Sequence, residues 1–267
     1  MRICYASEQG CGAANEDRAA AGTGWAFVLD GATAPAGVDS GCRHGVSWMV
    51  DRLAAALAAE LGAGHGAPLA DVLAAAIERT CDAHRGTCDL GNPDSPSATA
   101  AVARASGHGV DYLVLADSAV LLPGTGASAT AITDDRLDHL PGGRPYSREL
   151  VRSSRNTPGG FWVASTSAEA ARQAVTGTVR TGDRRFALLT DGCTRLVDYY
   201  SSTWSEVWSH LWEKGPESLI ARVRGQEDER GVPHGKRHDD ATALVGEFGP
   251  ECVHERPPRF RGPPPRR

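Results

Sequence analysis

The sequence predicts an α+β domain in which helices cover the faces of antiparallel sheet. Four short apolar runs follow one another with glycine-containing gaps: "SATAAVARA", "VDYLVLAD", "SAVLL" and "ATAIT". Such spacing is typical of antiparallel strands in a meander. Helical periodicity comes in blocks before and after these strands, and this order differs from the regular alternation of strand and helix that builds a parallel sheet.

The amino-terminal part of the chain predicts two strands followed by two helices. The strands are "ICYAS" and "GWAFVLDG". The first helix is expected from about Gly41 to Leu61, because apolar residues recur along one stripe: Val46, Met49, Val50, Leu53, Leu57 and Leu61. The second helix begins at Pro68, a residue suited to a first helical turn.

The remainder of the chain predicts an insert, then helices and strands, then a tail. Residues 134–164 are polar and rich in Arg, Gly and Pro, and we expect an irregular insert or flap. The later elements are a helix at "TSAEAARQAV", a strand at "RFALLTDG", helices over about Ser202–Lys214 and Pro216–Gln226, and a strand at "ATALVGEF". We place the domain at residues 1–249, because the Pro- and Arg-rich segment 250–267 is expected to be disordered.

Length and composition indicate an ordinary globular protein. The chain has 267 residues, enough for one large domain or two small ones. Its net charge of −5 shows no basic excess, so nucleic acid is not an expected partner. The amino terminus has no apolar core of signal-peptide length and no segment reaches a membrane span, so we expect a cytoplasmic protein with no membrane partner.

The cysteines predict no special chemistry. There are seven, at irregular spacing. No Cys-x-x-Cys pair occurs, which argues against a structural zinc site. We expect reduced and mostly buried thiols.

Three apolar strands each end on a carboxylate: Asp30, Asp117 and Asp191. One Asp-Gly pair is an ordinary turn signal. An extended strand, however, delivers its last side chain to the rim of a sheet, and several such strands bring several carboxylates to one place. Two acidic pairs, Glu16–Asp17 and Asp239–Asp240, also precede strands. Because clustered carboxylates repel one another, such a cluster holds protons or hard divalent cations.

Six short motifs occur in an order that resembles the type-2C metal-dependent protein phosphatases, the PPM family, in a compact bacterial form. They are "NED" at 15–17, "FVLDG" at 27–31, "SATA" at 97–100, "LADS" at 115–118, "LLTDG" at 188–192 and "DDAT" at 239–242. Together they span nearly the whole chain. The resemblance implies a four-layer α-β-β-α sandwich of two antiparallel sheets flanked by helices, with a centre of two Mg²⁺ or Mn²⁺ ions, and room for a third, at one edge.

The resemblance also implies a role for each acidic residue. The implied ligands are Asp30 as the bridge between two metals, Glu16 and the Gly31 carbonyl on one metal, and Asp191 and Asp239 on the other. Asp17 would orient a metal-bound water, and Asp117 would belong to a third, weaker site. Asp239 is preferred over Asp240 because it occupies the first position of the family's acidic pair.

The implied reaction is hydrolysis of a phosphate monoester, in particular phospho-Ser or phospho-Thr of proteins. Two metals roughly 3.5–4 Å apart lower the pKa of a bridging water, so that hydroxide exists at neutral pH. No nucleophilic Cys or Ser is needed. Two alternatives stay open: a small phosphorylated metabolite as the substrate, and a phosphatase-like module that binds or senses a partner without turnover. The oligomeric state is not predicted.

The chain departs from the family pattern at positions that bear on phosphate binding. Gly12 stands where an Arg usually grips the phosphate, and Ala32 and Ala119 also differ from the usual residues. Arg43 and His44, near the start of the first long helix, are candidate replacements, since a helix amino terminus favours anions. We consider Arg43 as a phosphate contact and His44 as a proton donor.

Overall fold

Ten strands and seven α-helices form in the part of the chain that the computed structural model describes, residues 1–32, 37–64, 66–107, 109–126 and 128–249. The strands are β1 (Arg2–Glu8), β2 (Arg18–Gly22), β3 (Trp25–Ala32), β4 (Ser97–Ser106), β5 (Gly109–Leu115), β6 (Ala119–Pro123), β7 (Ala129–Thr133), β8 (Val175–Arg180), β9 (Arg185–Leu189) and β10 (Ala241–Glu247). The helices are α1 (Val46–Gly62), α2 (Leu69–His84), α3 (Arg148–Ser154), α4 (Glu169–Arg172), α5 (Asp191–Asp198), α6 (Trp204–Lys214) and α7 (Pro216–Arg230).

The strands form two antiparallel sheets that pack face to face. One sheet has the order β1-β10-β9-β6-β7 and the other β2-β3-β4-β5-β8. Helices α1 and α2 cover the outer face of the second sheet, and α5, α6 and α7 cover the outer face of the first. This arrangement confirms the predicted α+β class and the four-layer sandwich.

Strand β3 shows why the strands that carry the site read as continuous apolar runs. Its side chains alternate between two buried layers. Trp25, Phe27 and Leu29 pack in the cluster with α1 and α2. Ala26 and Val28 pack between the two sheets. Because both faces of the strand are buried, its sequence does not alternate between apolar and polar residues.

Two strands and two helices were not predicted: β2, β8, α5 and, within the insert expected to be irregular, α3. Strand β2, "RAAAG", has no branched or aromatic residue, so its sequence has low strand propensity. It forms a strand because it pairs with β3. Strand β8 follows a helix of only four residues, so the helical pattern expected there ends early. Helix α5 begins at Asp191, directly after β9.

Helix α1 starts at Val46 rather than near Gly41. Gly41 adopts a left-handed backbone with φ of 67°, which a helix cannot contain. Gly45 is extended and precedes the first helical residue. The segment between strand β3 and α1 therefore includes a turn that the apolar stripe did not reveal.

The insert 134–164 folds on a small apolar core of its own. It contains a 3₁₀ turn at Arg136–His139 and helix α3. Leu140, Phe161 and Val163 are buried there with Ala116, and the half-buried side chains of the insert pack around them. The predicted irregular flap thus has a fixed position beside the strand end that carries Asp117.

Among the described residues, no helix combines the length and apolar character needed to cross a membrane. The tail 250–267, expected to be disordered, lies outside the described residues.

Candidate metal centre

Five aspartates from five separate segments lie close enough for their charges to interact. Asp30 ends the apolar run of β3, and Asp191 opens α5. The others come from loops: Asp17 before β2, Asp117 between β5 and β6, and Asp239 before β10. Asp30 is at the centre, because the charges of the other four all act on it. The fold thus brings carboxylates from strand ends and loops that are distant in sequence together in one acidic centre.

Asp30 and Asp17 share the innermost part of this centre. Burial, followed by the charges of Asp191 and the other aspartates, raises the pKa of Asp30 well above its ordinary range. Burial also raises the pKa of Asp17 to about 6, against hydrogen bonds from Thr242 and Thr190 that favour the charged form. The Thr190 hydroxyl donates to Oδ2 of Asp17 over 2.8 Å.

Asp191 and Asp239 form the second part of the centre, beside two cations. Burial and the charges of Asp117 and Asp239 raise the pKa of Asp191 to about 8, while Arg195 opposes this shift. Asp239 is held by Nη2 of Arg195 at 3.0 Å and by Nζ of Lys236 at 2.9 Å. Each of its two carboxylate oxygens therefore has a cationic side chain as a partner.

Glu16 lies against Gly31, the residue that follows Asp30. A Cβ placed on Gly31 would lie 2.9 Å from Cβ of Glu16 and 2.7 Å from the Val46 side chain, so only glycine fits. Asp240 fixes the loop that carries Glu16, since its two oxygens accept the backbone N–H groups of Gly10 and Glu16, each over 2.7 Å. Asp240 thus holds the backbone of this loop in place, a structural role that differs from the role proposed for its neighbour Asp239.

Asp117 occupies the outer margin of the centre, next to the insert. Burial raises its pKa, and its own backbone N–H and the charge of Arg144 counteract this in part. The preceding residue, Ala116, has a left-handed backbone with φ of 62°, which costs a non-glycine residue about 1–2 kcal/mol. The strand therefore turns sharply where it delivers Asp117.

These residues fit divalent metal ions. All of the donors are oxygen atoms, the class that Mg²⁺ and Mn²⁺ prefer. Burial and mutual repulsion both disfavour the charged carboxylates and raise these pKa values, and bound cations would offset both effects. Oδ1 of Asp17 is buried and has no N–H or O–H partner among the described residues, which leaves it available to a water in the centre.

Arg43 and His44, the residues considered as replacements for a phosphate clamp, occupy different environments. The Arg43 side chain is exposed and makes no ion pair with any residue in the described ranges. His44 points Nδ1 at the thiols of Cys88, 3.3 Å away, and Cys42, 3.8 Å away, and stacks on Trp48. Both assignments stay predictions.

A cavity of about 460 Å³ lies beside Asp117 and carries positive charge. It is lined on one side by Ala32, Ser97 and Thr99, and on the other by arginines of the insert: Arg144, Arg148, Arg152 and Arg155. Arg148 and Arg152 pair with Asp94 at 3.6 Å and 3.0 Å. The site is therefore an acidic centre that opens into a basic groove.

The two cationic side chains that contact Asp239 were not predicted from the sequence. Arg195 lies on α5, and Lys236 lies in the loop before β10. Neither belongs to a motif, and only the packing of α5 against that loop brings them to Asp239. The one sequence feature that could have indicated these cations is Arg195, one helical turn after the "TDG" motif.

Comparison with known proteins supports a shared fold. No curated protein sequence matches this chain. The serine/threonine phosphatase PstP/Ppp of Mycobacterium tuberculosis aligns with a TM-score of 0.60 at 19% identity, over 92% of this chain and 98% of that one. The PstP catalytic domain in complex with 2 manganese ions aligns with a TM-score of 0.57 at 19% identity, over 92% and 97%. Stp1 of Staphylococcus aureus gives 0.57 at 14% identity, over 93% and 95%.

The sequence profile of the protein phosphatase 2C family matches residues 6–223. That range contains five of the six motifs that suggested the resemblance, so the predicted family is confirmed. With it, the predicted class of enzyme, a metal-dependent phosphoric monoester hydrolase, is confirmed as well. The chain belongs to the protein phosphatase 2C family.

Proposed function

We propose that this phosphatase removes phosphate from phospho-Ser and phospho-Thr side chains of proteins, using two Mg²⁺ or Mn²⁺ ions in the carboxylate centre. The observation that carries the proposal is the convergence of the aspartates on Asp30, whose pKa is raised by burial and by their charges. The manganese ions in the PstP complex support the choice of metal.

The proposed ligands follow the geometry around Asp30. Asp30 would bridge the two ions, with Glu16 and the Gly31 carbonyl on one side and Asp191 and Asp239 on the other. Asp117, at the margin of the centre, would contribute to a third and weaker site. The proximity of Glu16 to Gly31 and of Asp239 to Asp191 supports this division.

The chemistry is divided between the metals and the chain. The ions would lower the pKa of a bound water and offset charge on the phosphoryl group. Asp17 would orient the attacking water, because Thr190 holds Oδ2 while the buried Oδ1 has no hydrogen-bond partner among the described residues. Burial of these groups keeps bulk solvent from screening the charges that act there.

Phosphate and peptide recognition would come from the basic groove. Gly12 provides no clamp, whereas the arginines of the insert lie on the cavity that adjoins Asp117. Arg144 is the candidate for contact near the reacting phosphate, because its charge acts on Asp117. Arg43, exposed at the segment before α1, is a second candidate. A groove with this charge suits a phosphorylated peptide.

The test is turnover of three substrates in Mn²⁺: a phosphothreonine peptide, a set of small phosphorylated metabolites and an aryl phosphate. The peptide is expected to be the best substrate. Asp30→Asn and Asp239→Asn should each lower kcat/KM more than the roughly 10–100-fold that loss of a residue supporting a metal ligand costs. Asp82→Asn, at an exposed residue of α2, is the matched control and should leave turnover unchanged.

Three results would contradict the proposal. Turnover that survives both Asp30→Asn and Asp239→Asn would show that catalysis does not need the carboxylate centre. A strong preference for one metabolite over the peptide would assign a small-molecule substrate. Manganese binding by calorimetry without turnover of any substrate would indicate a binding or sensing module.

A further inference from the structure

Four potential metal ligands outside the carboxylate centre face one another: Cys42, His44, His84 and Cys88. Cys42 and His44 lie in the segment before α1, and His84 ends α2. One ligand atom from each residue lies within 4.8 Å of the other three. We propose that these residues, the Cys₂His₂ cluster, bind a structural Zn²⁺ ion.

The distances within the Cys₂His₂ cluster match tetrahedral zinc. Cys42 Sγ lies 3.5 Å from Nδ1 of His84 and 3.8 Å from Nδ1 of His44. Cys88 Sγ lies 3.3 Å from Nδ1 of His44 and 3.4 Å from Cys42 Sγ. Usual zinc bond lengths place two sulfurs about 3.8 Å apart, and a sulfur and a nitrogen about 3.6 Å apart. These four pairs therefore lie within about 0.4 Å of the spacing that a tetrahedral zinc ion requires.

The two imidazole rings are held in position by one aromatic side chain. Trp48 stacks on His44 with ring centroids 3.9 Å apart and meets the edge of His84 at 4.6 Å. His84 is only 4% exposed, and its Nε2 has no hydrogen-bond partner among the described residues. The Nδ1 atom of His84 faces the Cys42 thiol, a weak hydrogen-bond partner, at 3.5 Å, and metal binding through Nδ1 would replace this weak contact with a strong one.

The segments that carry the ligands are already joined. The backbone N–H of Asp89 donates to the carbonyl of Gly41 over 2.8 Å, and Nδ2 of Asn92 donates to the carbonyl of Asp39 over 3.0 Å. A zinc ion would complete this connection between the start of α1 and the end of α2. It would thereby fix the segment that follows β3, the strand of Asp30.

Ligand chemistry separates this site from the catalytic one. Two thiolates and two imidazoles select zinc, whereas Mg²⁺ and Mn²⁺ take oxygen ligands. The zinc proposal consequently does not depend on phosphatase activity. It also explains why the sequence argued against zinc: the donors are spaced Cys-x-His and His-x₃-Cys, and no Cys-x-x-Cys pair is needed.

The first experiment measures metal content of tag-free protein purified without chelators. About one zinc ion per chain is expected by mass spectrometry. The Cys42→Ser/Cys88→Ser double variant should lose it, and the matched Cys4→Ser/Cys11→Ser variant, at two exposed thiols, should keep it. Zinc that persists in the first variant, or zinc absent from the native protein with its thiols free, would overturn the proposal.

A second experiment uses the unsubstituted chain, so its result does not depend on whether a variant folds. Replacement of zinc by Co²⁺ should give the absorption bands of tetrahedral cobalt and a thiolate charge-transfer band, and should quench tryptophan fluorescence through Trp48. Octahedral cobalt without a thiolate band would contradict the proposal. So would a disulfide between Cys42 and Cys88, detected by intact mass, in protein that binds no zinc.

Discussion

Arg195 donates a hydrogen bond of 3.0 Å from Nη2 to Oδ2 of Asp239, a proposed metal ligand. The other arm of the same guanidinium, Nη1, reaches Oε1 of Glu227 at 2.5 Å. Glu227 is only 1% exposed and also accepts hydrogen bonds from Arg224 and His238. The orientation of Asp239 therefore depends on a buried ion-pair network between α5 and α7.

Glu227→Gln should weaken both the fold and the metal centre. The substitution removes the buried anion that Arg195 and Arg224 share, and breaking a buried pair in this way costs about 3–5 kcal/mol. Because Arg195 would lose its fixed position, manganese affinity should fall by roughly 10–100-fold, as for other residues that orient metal ligands. Urea unfolding and calorimetric titration with Mn²⁺ measure the two effects.

The neighbouring residue provides the control. Asp228 pairs with Arg237 at 2.7 Å on the surface, with 57% of its side chain exposed. Asp228→Asn should leave the free energy of unfolding almost unchanged, because exposed ion pairs contribute little. Equal losses for the two variants would show that the network has no special role.

The sequence could predict the carboxylates because strand ends leave a local signature. Asp30 and Asp191 follow buried apolar runs, and the strand geometry sends them to one rim. Arg195 and Glu227 leave no such signature, since their contact joins two helices and depends on tertiary packing. The same holds for Cys42 and His84, which the packing of α1 against α2 brings together. Local pattern thus predicted the carboxylates, and the residues that contact them required the fold.

Lys236→Met should increase manganese affinity. The Lys236 ammonium lies 2.9 Å from Oδ1 of Asp239 and competes with a metal for that oxygen. Its side chain is 42% exposed, so the pair is worth about 1 kcal/mol at most, and the gain should be about two- to fivefold in Kd. Loss of a positive charge near the ions acts in the same direction.

Lys214 is the matched control for this effect. It is an exposed lysine at the end of α6, and Lys214→Met removes the same charge without touching Asp239. Calorimetry at moderate salt compares the two variants. Weaker binding in Lys236→Met would mean that Lys236 assists the ligand rather than competing with the ion.

Gly192→Ala should displace the start of α5. A Cβ at this position would come within 2.0 Å of the Asp240 carbonyl oxygen, a backbone atom that cannot rotate away. Overpacking of this kind costs about 1–3 kcal/mol, and it should move Asp191 away from the centre and reduce turnover. Gly225→Ala, in α7 with open space around the added methyl group, should instead stabilise by about 0.5–1 kcal/mol. Urea unfolding and phosphopeptide turnover distinguish a local clash from a general intolerance of alanine.

The metal-free protein should lose stability as the pH rises. The pKa of Asp17 is raised by burial to about 6 and that of Asp191 to about 8, while the unfolded chain releases these protons near pH 4. Between these values the folded state binds more protons than the unfolded state, so the free energy of unfolding decreases with pH. Metal ions remove this penalty by taking the place of the protons. Metal binding at neutral pH should therefore release protons, measurable by calorimetry in buffers of different ionisation enthalpy.

The Asp30→Asn variant tests whether carboxylate repulsion causes this loss of stability at high pH. The amide cannot ionise, and it removes the charge on which the other carboxylates act. At about pH 8 and without metal, this variant should be more stable than the unsubstituted protein, although it lacks the proposed bridging ligand. Any contribution of the Cys₂His₂ cluster is common to both proteins and cancels in the difference. Identical pH profiles of urea unfolding for the two proteins would mean that carboxylate repulsion at Asp30 does not limit stability.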